Sequence, residues 1–114
     1  MHDIPNRIAD TLLEVEATLR THGRWDRCPP AAEALASTQP FCLDTLRFEQ
    51  WLQWVFLPRM QQIIADCRPL PARSGIYSYA EHCLHKDDPQ TGALLGTIRR
   101  FDELIAIQAA ARRH

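Results

Sequence analysis

The chain has 114 residues, 46% of them hydrophobic, which fits one domain and leaves no room for two independent cores. Charged residues make up 24% and almost cancel to a formal net charge of −1, so no global field draws in nucleic acid or an anionic membrane. No run of about 18 apolar residues occurs, which excludes a membrane-spanning helix, and Met1-His2-Asp3-Ile4-Pro5 is not a secretory signal, so a cytoplasmic location is expected.

The first helix begins with Asp3 as a cap and Pro5 in its first turn, where a missing N–H costs nothing. Ile4, Ile8, Leu12, Val15 and Leu19 recur at helical spacing and form one buried stripe. Glu16 and Arg20 make an i,i+4 pair on the wet side, and Gly23 is a natural stop. Residues 24–44 then form a long connection. Pro29, Pro30 and Pro40 keep it out of a continuous helix. Trp25, Phe41 and Leu43 anchor it, and residues 31–36 form a short helical turn with Pro30 near its start.

A second long helix is predicted from about Phe48 to Ala65, capped by Asp44 or Thr45. Phe48, Trp51, Leu52, Trp54, Val55, Phe56, Ile63 and Ala65 cover a wide arc, and Glu49, Gln50, Gln53 and Gln61 only a narrow polar strip. A helix so apolar around its circumference is mostly surrounded by protein. Pro58 interrupts it and predicts a kink near Trp54. Pro69-Leu70-Pro71 reads as a stiff linker. Ser78-Tyr79-Ala80-Glu81 reads as a capping box opening a short helix, with Tyr79, Ala80, Cys83 and Leu84 inward. The last helix starts with Asp88 as cap and Pro89 at its first position. Leu94, Ile98, Phe101 and Ile105 form its inner line, widened by Leu95, Leu104 and Ile107. No segment alternates as a strand does. The fold class is all-α, a single-domain up-and-down four-helix bundle with a kinked Trp-rich central helix.

Few residues point to chemistry. His82 and His85 share a helical face, but no second ligand pair is close in sequence, so no metal is expected. Cys28, Cys42, Cys67 and Cys83 fit no C-x-x-C pattern and are read as free thiols, with Cys42 and Cys83 buried and inert. No Gly-rich phosphate loop exists; Gly92 and Gly96 read as a place where another helix approaches closely. Tyr77 and Tyr79 belong to the core or, with Trp25, to an aromatic patch. Arg99-Arg100 and Arg112-Arg113 form a weak basic strip, read first as a solvated face and second as phosphate contacts. Arg59 is the most informative residue. It falls on the line Phe48, Leu52, Val55, Arg59, where a guanidinium needs carboxylate or carbonyl partners. It is read as a clamp to the long connection or to Asp44, or as part of a recognition surface. The alternative is that the Pro58 kink turns it to solvent.

The stretch Ser37-Thr38-Gln39-Pro40-Phe41, then Asp44-Thr45, Gln50-Trp51-Leu52-Gln53-Trp54-Val55-Phe56 and Pro58-Arg59-Met60, resembles the signature of the YqcC-like family of small bacterial proteins. Pro69-Leu70-Pro71 and Tyr79-Ala80-Glu81 extend the likeness, which runs from about Ile8 to Ile105. The resemblance implies an up-and-down bundle of four helices. It brings no established function, only an association of family members with tRNA pseudouridine synthase C. That enzyme needs a large α/β domain with a catalytic aspartate in an Arg-Leu-Asp-like turn after a strand, whereas Arg100-Phe101-Asp102 falls inside a helix here. The expectation is therefore a non-catalytic interaction or accessory protein linked to tRNA pseudouridine modification, with a tRNA-modifying enzyme as protein partner and no cofactor. The alternative is a module that binds a small anionic ligand or RNA directly. Wide apolar arcs on three helices leave surface that a second copy can cover. The candidate interaction or clamp residues are Arg59, Gln39, Phe41, Asp44 and Tyr79.

Overall fold

The computed structural model describes residues 4–84 and 88–112, and no strand occurs among them. Asp3, proposed as the first cap, and His85 lie outside the described residues. Helix α1 spans Ile4–Thr21, and its stripe is buried at Ile8, Leu12, Val15 and Leu19 but only half-buried at Ile4. It closes in a left-handed cap at Gly23 (φ 67°), where Arg24 N donates to Leu19 O and Gly23 N to Arg20 O. Glu16 and Arg20 pair at 2.9 Å as expected.

The connection holds a single short helix, α2 (Ala32–Leu35), and a 3₁₀ turn at Pro40–Cys42. Trp25 and Phe41 pack against the core as anchors, but Leu43 is exposed. The central helix follows: α3 (Phe48–Trp51), a π-helical turn (Leu52–Phe56) and α4 (Leu57–Ala65). Asp44 and Thr45 do not cap it. The cap position is Arg47, whose N–H donates to Gln50 Oε1 at 2.9 Å. Asp44 instead accepts from Ser37 Oγ at 2.6 Å and Thr45 Oγ1 donates to Ala34 O at 2.7 Å, so both hold the connection to itself.

At the kink predicted near Trp54 the helix takes a π-turn, where Leu57 N donates to Leu52 O, five residues back. Pro58 has no N–H to give to Trp54 O and its ring crowds that carbonyl, so the helix widens by one residue. That extra residue advances everything beyond it by roughly 100° relative to an uninterrupted α-helix. The buried line accordingly passes from Phe48 and Leu52 to Phe56 and Met60, not to Val55 and Arg59. The helix is also less enclosed than its composition predicts, since Trp51, Trp54 and Val55 are only half-buried.

Helix α4 ends in the same left-handed cap as α1, but the residue there is Cys67 (φ 54°), with Arg68 N donating to Ile63 O and Cys67 N to Ile64 O. The linker at 69–71 is tied down by Leu70, which is buried, and by Gln108 Nε2, which donates to Pro71 O at 2.9 Å. Helix α5 (Ile76–Cys83) starts two residues before the predicted capping box, and Ser78 and Glu81 play no part in its cap. Asp102 on the last helix caps it from outside, accepting from Tyr77 N at 2.9 Å and from Ser74 Oγ. A carboxylate there complements the free N–H groups and the positive helix end.

Helix α6 (Pro89–Arg112) begins at Pro89, and Asp88 O accepts its first bond, from Gly92 N at 2.9 Å. It packs on α1 and α5, while α1 also packs on α4. Leu94, Leu95, Ile98, Phe101, Leu104 and Ile105 are buried, but Ile107 is exposed. Gly92 and Gly96 are also exposed, and a Cβ at either would meet nothing within 4 Å. The close helix approach read into them is absent among the described residues.

Candidate functional site

The sharpest concentration of unusual geometry lies where the connection, the central helix and α5 meet. Rings run through this corner in a chain. Tyr79 stacks on Phe41 at 4.3 Å, Phe41 meets Trp51 edge-on at 4.9 Å, Trp51 lies 5.5 Å from Phe56, and Phe56 meets Phe101 at 4.9 Å. Edge-to-face and offset pairs of this kind add about 0.5–1.5 kcal/mol each beyond the area they bury. Phe41 and Cys42 both take left-handed backbone conformations (φ 58° and 49°), which ordinarily suit glycine. The stacked Phe41 ring, buried Cys42 and the bond from Leu46 N to Cys42 O (2.8 Å) hold them there. Burial, with the Cys83 thiol beside it, pushes the Tyr79 phenol above its ordinary range.

A cleft of about 230 Å³ opens against these rings, lined by Phe41, Trp51, Val55, Phe56, Met60, Pro71, Ile76 and Phe101. Arg59, Arg73, Ser74 and Gly75 complete its wall. Both arginines are exposed, and neither has a hydrogen-bond or ion-pair partner among the described residues. Two larger hollows lie among the described residues. One, of about 400 Å³, lies between the end of α4, Pro5 and Gln108. The other, about 480 Å³, lies beside Trp25 and Trp54, where Arg20 is already engaged by Glu16 and by the Trp25 ring at 4.3 Å. The buried Trp54 indole N–H has no acceptor among the described residues.

The predicted residues divide. Phe41 and Arg59 line the cleft, and Tyr79 backs Phe41. Gln39 and Asp44 stay on the exposed connection, where Gln39 N and Asp44 both bond to Ser37 Oγ. Arg59 is no clamp: the π-turn carries it to solvent and puts Met60 in its place. The clamping is done by Gln53, read from sequence as part of a wet strip. It is 4% exposed, its Oε1 accepts from Asp26 N at 2.8 Å, and its Nε2 donates to Asp26 O at 2.7 Å. Arg24 and Glu49 pair beside it at 2.5 Å. In the basic strip Arg99 pairs with Glu103 at 3.4 Å and Arg100 with Glu14, while Arg113 lies outside the described residues. Cys83 is exposed rather than buried, while Cys42 is buried as expected, and all four thiols are free. Among the described residues no three His, Cys, Asp or Glu side chains gather as a metal site, and no helix is long and apolar enough to cross a membrane.

Sequence reasoning missed Arg73 and Asp102. Arg73 sits between a proline linker and a helix start, where no periodicity assigns a side. The signal for Asp102 was a carboxylate within the apolar face of α6, four residues after Ile98.

Comparison with known proteins agrees with this architecture. The family described as tRNA pseudouridine synthase C matches residues 7–104. The uncharacterized protein YqcC of Escherichia coli K12 is 36% identical over 105 residues, covering 92% of this chain and 96% of that one. An uncharacterized protein of Haemophilus influenzae is 36% identical over 99 residues, covering 87% and 92%. A Pectobacterium carotovorum protein named tRNA pseudouridine synthase C is 46% identical over 72 residues, which are 63% of this chain but only 19% of that one. The solution NMR structure of E. coli YqcC superposes with a TM-score of 0.81 at 35% identity, covering 92% of this chain and 90% of that one. The chain belongs to the YqcC-like family.

Proposed function

We propose that this protein is a non-catalytic docking partner of a tRNA-modifying enzyme of the pseudouridine synthase C kind. The observation that carries the docking role is the cleft: apolar walls beside two uncompensated arginines, a lining suited to holding a partner rather than to moving protons or electrons. The choice of partner draws support from the Pectobacterium relative. There a segment similar to this chain occupies about a fifth of a longer polypeptide that bears the name of that synthase. Two activities joined in one chain in one organism commonly act together as separate chains in another. Among its described residues this chain is helical and holds no strand, so it carries none of the α/β scaffold such an enzyme requires.

The test is direct. This protein and the synthase C of the same organism are purified separately and mixed at micromolar concentration, and the mass of the eluting species is measured by light scattering. A stoichiometric complex is expected. Two unchanged species, with pseudouridine formation on tRNA equally fast with and without this protein, would remove the reading. The same run on this protein alone reports whether it pairs with itself.

A further inference from the structure

Taking the docking role as its basis, we infer that the cleft between Phe41, Val55 and Ile76 seats one large apolar side chain of a partner polypeptide whose neighbouring residues are acidic. Size sets the first limit. About 230 Å³ is below the roughly 300–1,000 Å³ of pockets that take whole drug-sized ligands or cofactors. It suits a single leucine, methionine or phenylalanine side chain, the usual form of an anchor residue at an interface.

Charge sets the second. Among the described residues no carboxylate lines the cleft, and Arg59 and Arg73 stand exposed on it without partners. Elsewhere on the surface, Arg20, Arg24, Arg68, Arg99 and Arg100 each have a carboxylate within 4 Å; Arg7, Arg27 and Arg47 have none among the described residues, but of these only Arg27 borders a hollow, and that one also carries Glu16 and Asp26. Two bare guanidiniums beside a dry wall favour carboxylates, which they hold through paired N–H donors.

The rings decide between polypeptide and nucleic acid. Reading single-stranded RNA by stacking needs free aromatic faces. Here the Trp51 ring is already paired near-parallel with Phe48 at 6.0 Å and with Phe56 at 5.5 Å, and Phe41 is stacked on Tyr79 at 4.3 Å. The rings are committed to one another, which leaves an apolar hollow rather than a stacking platform. The walls also carry both backbone irregularities of this corner, the left-handed Phe41-Cys42 pair and the π-turn, and such departures gather at working sites.

The test uses random peptides displayed on phage and selected on the full-length protein, followed by affinities of the selected peptides for the wild type and for R59E/R73E. Both arginines are exposed and unpartnered, so charge reversal leaves the fold intact, which circular dichroism checks. Gly75→Leu is the second variant: a Cβ there meets nothing within 4 Å, so it adds bulk to the wall without strain. Selected peptides should carry aspartate or glutamate around one large apolar residue. Their affinity should fall at least about tenfold in R59E/R73E, and about thirtyfold when the apolar residue is replaced by alanine. Peptides without acidic bias, or peptides held equally by R59E/R73E and Gly75→Leu, overturn the inference. So does tRNA binding that depends on the two arginines while no peptide is selected. The synthase mixing experiment, repeated with R59E/R73E, keeps the two readings apart. A complex that survives charge reversal removes the cleft and leaves the docking role. Acidic peptides bound at the cleft with no synthase complex keep the cleft and remove that partner.

Discussion

Along α1 and α6 the buried residues recur without interruption: Ile8, Leu12, Val15 and Leu19 on one helix, Leu94, Ile98, Phe101 and Ile105 on the other. Where the connection meets the central helix, the same kinds of side chain are held by irregular means. Two non-glycine residues are left-handed, one turn of helix is widened, a buried amide ties a loop by its backbone, and a carboxylate on one helix caps another. The seam gains its stability from repetition, so each position can be inferred from its neighbours. The corner depends on single contacts that no neighbour duplicates. Irregularity is costly to maintain, and here the left-handed pair, the π-turn and the Asp102 cap border the cleft.

The comparison can be broken most forcefully in the seam. Leu12→Ala should lower unfolding free energy by about 2–5 kcal/mol in urea titration, the usual cost of a cavity in a close-packed core. A loss below about 1 kcal/mol would mean the seam is looser than described. Next comes the corner. Gln53→Ala strands the N–H and C=O of Asp26 and should cost about 2–3 kcal/mol, with faster amide exchange across 24–44. If the connection stays protected, other contacts hold it and the single-contact picture fails.

Smaller effects sharpen the contrast. Cys67→Gly should raise stability by up to about 1 kcal/mol by relieving a left-handed residue, whereas Gly23→Ala at the equivalent cap of α1 should lower it by a similar amount. Gly96→Ala should add about 0.5–1 kcal/mol, because its Cβ meets open space on a helix. Arg59→Ala and Arg73→Ala should each change thermal stability by less than about 0.5 kcal/mol, as unpartnered surface groups do. The smallest effect is on pH. The Tyr79 phenol is raised in the folded state, so its contribution is whole below the unfolded tyrosine value near ~10 and is lost as pH rises through the folded one. Tyr79→Phe should flatten that alkaline limb in pH-dependent melts.

What the sequence made legible follows the same division. Periodicity located α1, α6, the bounds of the central helix and the Gly23 stop, because those depend on neighbours along the chain. It placed Arg59 inside because the projection assumed one residue count per turn, which the π-turn invalidates, and Gln53 outside because nothing along the chain shows that Asp26 folds over it. Asp102 as the cap of α5 was out of reach for another reason: its partners Ser74 and Tyr77 are 28 and 25 residues away, and only packing brings them together. Ser78 and Glu81 had the right local pattern, but a carboxylate already in place on α6 starts the helix earlier. Of the cleft, Phe41 and Arg59 were legible as candidates, and Arg73 was not.

The widened turn in the central helix amounts to an insertion carried inside a regular element. Deleting any one residue between Leu52 and Phe56 would rotate the following segment back by roughly 100°, bringing Arg59 inward and turning Met60 out. Two relatives that differ here by a single gap, and match at every aligned letter around it, would offer a partner different chemistry. At this point in the chain, residue count selects the exposed face as firmly as residue identity does.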